Sequence, residues 1–167
     1  MDPEIKADSV EGVLVQALKI EEYGKTFFTI MAKTAPDKES ARIFKQLAAE
    51  EAGHINLIRH NLAGRVTLDL SSPSIEPEKV FLPSMDEMAG KSVAEVLEHA
   101  IKLEERIISV YRRGLTLAAD TKTSEMILNL VEFESRHREM LTNQLIGLVL
   151  NGKRDAPAFM PAPAPGV

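Results

Sequence analysis

The sequence predicts an all-α protein, a four-helix bundle made of two repeated helix hairpins joined by a long crossover. Three observations carry this. Apolar residues recur in steps of three and four along four segments. A segment near the start returns 83 positions later, Ser9 falling on Ser92. Two of the connections are short, while the middle one is long and contains Pro73, Pro77 and Pro83.

The first helix carries an apolar face of Val10, Val13, Leu14, Ala17, Ile20, Gly24, Phe27, Phe28 and Met31. Asp8 or Ser9 is its N-cap, and Asp8 stands three before Glu11 in capping-box spacing. The second helix starts near Pro36 and Asp37. Its face runs through Ile43, Phe44, Leu47, Ala48, Glu51, His54, Ile55, Ile58 and Leu62, and Gly64 is a natural stop.

Ser92 and Glu95 form a second capping box at the head of the third helix. That helix buries Val93, Val96, Leu97, Ala100, Leu103, Glu104, Ile107, Val110 and Tyr111. The fourth starts between Thr121 and Ser124 and presents Ile127, Leu130, Val131, Glu134, His137, Leu141, Leu145 and Leu148. Asn151 and Gly152 end it.

SVEGVLVQALKIEE and SVAEVLEHAIKLEE share 8 of 14 aligned residues. The same offset brings Phe28 onto Tyr111, Asp37 onto Asp120, Glu51 onto Glu134 and His54 onto His137. Short links at Met31–Pro36 and Leu117–Thr121 make each pair an antiparallel hairpin. A crossover long enough to run the length of the bundle completes the ferritin-like arrangement. The expected division is a bundle over residues 1–152 and a Pro/Ala-rich tail over 153–167. The tail reads as disordered or polyproline-like, either a loose end or docked on a neighbour through Phe159 and Met160.

The 167-residue, 18.4 kDa chain suits one domain with its own core. A net charge of −5 without a basic block argues against nucleic-acid binding. The absence of Cys excludes disulfides, thiolate metal sites and a Cys nucleophile. No segment is long and apolar enough to span a bilayer, and the N-terminus lacks a signal-peptide pattern. The expectation is a soluble cytoplasmic protein, without phosphate-loop, nucleotide or Ser-nucleophile motifs.

Six polar side chains interrupt these apolar faces: Glu21, Glu51, His54, Glu104, Glu134 and His137. Each Glu-x-x-His projects from one helix face, and each follows a lone Glu by 30 residues. Buried carboxylates repel unless paired or protonated. Two divalent cations neutralise four of them, and two neutral imidazoles complete the coordination. One Glu from each of two helices plus Glu-x-x-His from the other two is the di-iron or di-manganese carboxylate pattern.

On the segments ALKIEEYGKTFF with FKQLAAEEAGH, and AIKLEERIISVY with ILNLVEFESRH, the chain resembles the rubrerythrin branch of the ferritin-like di-iron superfamily over residues 9–150. The resemblance implies two iron ions, with Glu51 and Glu134 bridging, Glu21 and Glu104 terminal, and His54 and His137 each on one metal. It also implies reaction with H₂O₂ or O₂, using electrons from an external donor. Two departures stand out. Ile107 occupies the position of an additional family carboxylate, and no four-Cys rubredoxin domain is present. The ligand set is similar to that of bacterioferritin-type centres.

Alternatives remain open. Tyr111 either hydrogen-bonds a ligand or donates an electron, or it only packs in the core. Glu22 and Glu105 point away from the ligand stripe. Glu50 is set aside as a ligand because the repeat places Phe133 at its equivalent. His60 and His99 read as surface residues. Gly53 either leaves room by the site or faces a partner helix. Ferritin-type iron binding with ferroxidation, or a structural bundle holding non-redox zinc or manganese, are the competing functions. A homodimer is expected.

Overall fold

The computed structural model describes residues 8–63, 85–88 and 90–156. Its helices are α1 (Val10–Thr34), α2 (Lys38–Leu62), the single turn α3 (Met85–Met88), α4 (Val93–Leu117) and α5 (Thr121–Leu150), and the described residues include no strand. The four long helices are those the periodicity predicts. The turn α3 lies within the crossover, where four residues are too few for a helical period to show.

Helix starts repeat as the sequence does. Ser9 caps α1 by accepting from the Gly12 amide at 3.0 Å, so Ser9 rather than Asp8 is the cap. Ser92 caps α4 in a complete capping box, its hydroxyl accepting from the Glu95 amide while the Glu95 carboxylate accepts from the Ser92 amide. Asp37 and Asp120 accept from the amides of Ser40 and Thr123, each at 2.8 Å. At the other end, Asn151 closes α5 and Gly152 follows with φ +66°, a left-handed turn that glycine adopts without strain. Gly64, the expected stop of α2, lies outside the described residues; Ala63 is the C-cap.

The interior divides into two apolar halves. One gathers the start of α1 (Val13, Leu14, Leu18), the end of α2 (Ile55, Ile58, Leu62), the end of α4 (Ile107, Tyr111) and the start of α5 (Ile127, Leu130). The other gathers the opposite ends: Phe27, Phe28 and Met31; Phe44 and Leu47; Val93 and Leu97; Leu141. So α1 runs antiparallel to both α2 and α4. The end of α2 and the start of α4 therefore lie at opposite ends of the bundle, which is why the chain between them must be long. Gly114 permits close approach of α1 and α4: a Cβ there would meet Val13 Cγ1 at 3.1 Å.

The start of α1 is buried more fully than one stripe requires, since Val15, Gln16 and Leu18 are also inside. Gln16 is satisfied there by a hydrogen bond from Arg113. Residues just past α5 are anchored: the Ala156 carbonyl accepts from the Val93 amide at 2.9 Å, and Arg154 reaches Glu98 at 3.4 Å. The start of the expected tail is thus tied to the head of α4. Its Phe159 and Met160 lie outside the described residues, as do Pro73, Pro77 and Pro83.

Candidate metal centre

The six polar residues occupy the seam between the two apolar halves, one turn from hydrocarbon on either side. Glu21 follows Leu18 and precedes Phe28 on α1; Glu104 sits between Ala100 and Ile107 on α4. Glu51 and His54 come from α2, and Glu134 and His137 from α5. None of the six is more than 5% exposed. Their arrival in the interior follows from helix register alone, because each lies three or four residues from core positions on its own stripe.

Their donor atoms form two overlapping groups. Ligand atoms of Glu21, Glu51, His54 and Glu134 lie within 4.8 Å of one another, and so do those of Glu51, Glu104, Glu134 and His137. Glu51 and Glu134 belong to both. Glu134 directs Oε1 to His54 Nδ1 at 2.7 Å and Oε2 to His137 Nδ1 at 3.0 Å. Glu51 divides its oxygens likewise, with Oε2 3.4 Å from His54 Nδ1 and Oε1 3.6 Å from His137 Nδ1. Glu21 Oε2 lies 3.5 Å from His54 Nδ1, and Glu104 Oε1 lies 3.8 Å from His137 Nδ1. The two imidazoles stack with centroids 5.5 Å apart.

Short as some of these approaches are, they are misaligned as hydrogen bonds. His54 Nδ1, His137 Nδ1, Glu104 Oε1 and both oxygens of Glu134 are buried without a hydrogen-bond partner. Buried polar atoms are normally satisfied. A cluster of orphan polar atoms that all belong to good first-row metal ligands fits cation coordination.

The electrostatics of these side chains point the same way. Burial, then the charge of Glu51, raises the Glu21 carboxyl to about 8. Burial and the neighbouring Glu51 and Glu134 raise Glu104 well above the carboxylate range. Burial opposes charging of the imidazoles, but Glu134 and its neighbours outweigh it, raising His54 to about 12 and His137 to about 10. Glu51 goes down despite burial, because Glu21 and both histidines favour its charged form. Protons thus do the neutralising that cations would otherwise do.

Tyr111 is fully buried and its hydroxyl donates to Glu21 Oε1. Tyr111 thus contacts a candidate ligand as well as packing in the core, and that partner is on α1 rather than its own helix. Its repeat equivalent Phe28 stacks on Phe44 instead, centroids 6.2 Å apart. Ile107 is buried among hydrocarbon, so no carboxylate enters there. Glu22 pairs outward with Arg59, as its position predicts.

Three further positions add to these expectations. Glu50 is outside both ligand groups, yet its Oε2 lies 2.7 Å from His137 Nε2. The repeat hides this contact because its equivalent, Phe133, has no acceptor; the Glu-Glu doublet is the one available signal. His99 is half-buried, hydrogen-bonded to Tyr23 at 3.2 Å and edge-on to Phe27, whereas His60 is exposed as expected. Gly53 is exposed, and a Cβ there would meet nothing within 4 Å among the described residues, so it does not open the site.

The sequence model of the rubrerythrin family matches residues 12–145. The chain belongs to the rubrerythrin family. No curated protein matches it. Among solved structures, the chain is similar to a Rhodobacter capsulatus bacterioferritin with a metal-free dinuclear site and haem iron. The TM-score is 0.71 at 18% identity, covering 99% of this chain and 100% of that one. It is similar to ferritin-like, diiron-carboxylate proteins from Bacillus anthracis (TM-score 0.61, 18% identity, 84% and 99% covered). It is also similar to a two-domain protein from Anabaena variabilis containing DJ-1/ThiJ/PfpI-like and ferritin-like domains (TM-score 0.65, 13% identity). There, 95% of this chain spans 40% of the longer one. These likenesses establish the ferritin-like bundle.

Proposed function

We propose that this rubrerythrin-family protein is a non-haem di-iron oxidoreductase that reduces H₂O₂ or O₂ with electrons from a separate donor. The observation that carries this reading is the sharing of Glu51 and Glu134 between two buried Glu/His groups. Glu51 and Glu134 would bridge, Glu21 and Glu104 would each hold one ion, and His54 and His137 would bind through Nδ1. Bound iron supplies one electron per ion, so the pair matches the two electrons that convert H₂O₂ and two protons to two waters.

The chain's own contribution is arrangement. Four helices fix the carboxylates, Tyr111 holds Glu21 through Oε1, and the flanking apolar halves restrict water. These 167 residues contain no Cys, so the electrons are proposed to come from outside the bundle. A cytoplasmic homodimer is the setting we propose for it.

Ile107 supports a second reading, ferritin-type ferroxidation of transient iron, because it leaves the ligand set symmetric. Anaerobic loading with Fe(II), followed by oxidant, tests both. Two ions per chain and one H₂O₂ consumed per two Fe(II) support the proposal. Oxidation accompanied by iron retention in a many-subunit shell favours the second reading. Failure to bind a pair, or an Fe(II) centre inert to both oxidants, overturns both.

A further inference from the structure

The two halves of the centre differ on the outer side of their histidines. His137 turns Nδ1 toward Glu51, Glu104 and Glu134, while its Nε2 lies 2.7 Å from Glu50 Oε2. Glu50 is itself held, because its Oε1 accepts from Gln46 Nε2 at 2.8 Å. A side chain of α2 thus braces a histidine of α5 from behind. His54 is placed otherwise. The residue that repeats Glu50 is Phe133, whose ring tilts against His54 with centroids 5.4 Å apart and carries the Arg136 guanidinium 4.5 Å from its centre. Among the described residues no carboxylate hydrogen-bonds His54 Nε2.

The consequence follows from imidazole chemistry. A carboxylate that accepts the Nε2 proton fixes the tautomer, leaves the Nδ1 lone pair free and makes the ring a stronger donor. His137 receives this treatment, and its Nδ1 is the atom that faces the ligand oxygens. His54 receives an aromatic face, which packs the ring but takes no proton, with a fixed cation nearby.

We infer that Glu50 is a positioning residue that makes the two cation positions unequal. The position formed by Glu51, Glu104, Glu134 and His137 fills first and more tightly; that formed by Glu21, Glu51, His54 and Glu134 fills second. This rests on the proposed dinuclear reading and deepens it, since the six ligands alone are related by the internal repeat and carry no such preference.

Titration of the metal-free full chain with Co(II), followed by visible absorption and calorimetry, tests it. The wild-type chain binds two ions in resolved steps. Glu50→Ala weakens the tighter step by about 10- to 100-fold and leaves the weaker one nearly unchanged. Glu50→Gln, which keeps a neutral acceptor, loses less, and provides the same comparison if the alanine variant is poorly folded by circular dichroism. Phe133→Glu, which copies the brace onto the other half, strengthens the weaker step. A Glu50→Ala chain that loses neither step, or both equally, overturns the inference. A wild-type chain that binds fewer than two ions overturns the dinuclear reading itself.

Discussion

Tyr111 and Ile107 show how much one side chain can alter a repeated site. Tyr111 supplies a hydroxyl to the Glu21 carboxyl where its repeat equivalent Phe28 supplies none. Deleting that hydroxyl leaves a buried carboxyl oxygen without its donor, at a cost of about 1–3 kcal/mol. Tyr111→Phe should therefore lower the stability of the metal-free chain by that amount in urea unfolding. It should also weaken the cation step that involves Glu21. A variant unchanged in both would mean that Tyr111 only fills space. The six ligand candidates are legible in the sequence because a carboxylate on an apolar stripe is costly to bury unless something neutralises it. Glu50 is not legible, because its value lies in a contact between helices that are far apart in the chain and the repeat offers no second copy of it.

Helices are the most legible part of the molecule, and their starts more so than their ends. Ser92 with Glu95 specifies a capping box in four residues, and the structure contains it. Asp37 and Asp120 act alike at the heads of α2 and α5. Ser92→Ala should cost about 1 kcal/mol, measurable as a lowered urea midpoint with unchanged slope. No change would show that the head of α4 is held chiefly by packing and by the Ala156–Val93 hydrogen bond. The extra burial at the start of α1 is not legible, since a periodic stripe says which face is inside but not whether the opposite face is covered as well. The half-buried place of His99 is hidden for the same reason: Tyr23 and Phe27 from another helix enclose it.

At the scale of the whole molecule, two apolar halves provide cohesion and the seam between them concentrates charge. Without cations the seam depends on protons. Glu21 titrates at about 8 in the fold, against an ordinary 4.5, so its contribution to stability is fully present below about pH 4.5 and is lost as pH rises through 8. His54 and His137, raised from 6.5 to about 12 and about 10, contribute fully below about pH 6.5 and lose that contribution as pH rises further. Stability of the metal-free chain from these groups therefore falls as pH rises from 4.5. Cations must displace the same protons, so their binding strengthens in that direction. The gap in melting temperature between Mn(II)-loaded and metal-free protein should widen between about pH 5 and 8. A gap that is constant or narrows would show that the seam is not where the cation binds.

The central claim is that Glu51 and Glu134 are shared between two neighbouring cations inside the bundle. Anomalous diffraction from crystals soaked in Fe(II) or Mn(II) tests it most directly. Two peaks per chain are predicted, roughly 3.5–4 Å apart, flanked by Glu51 and Glu134 and each capped by one histidine. A single peak, or peaks confined to the exposed carboxylates, would contradict it.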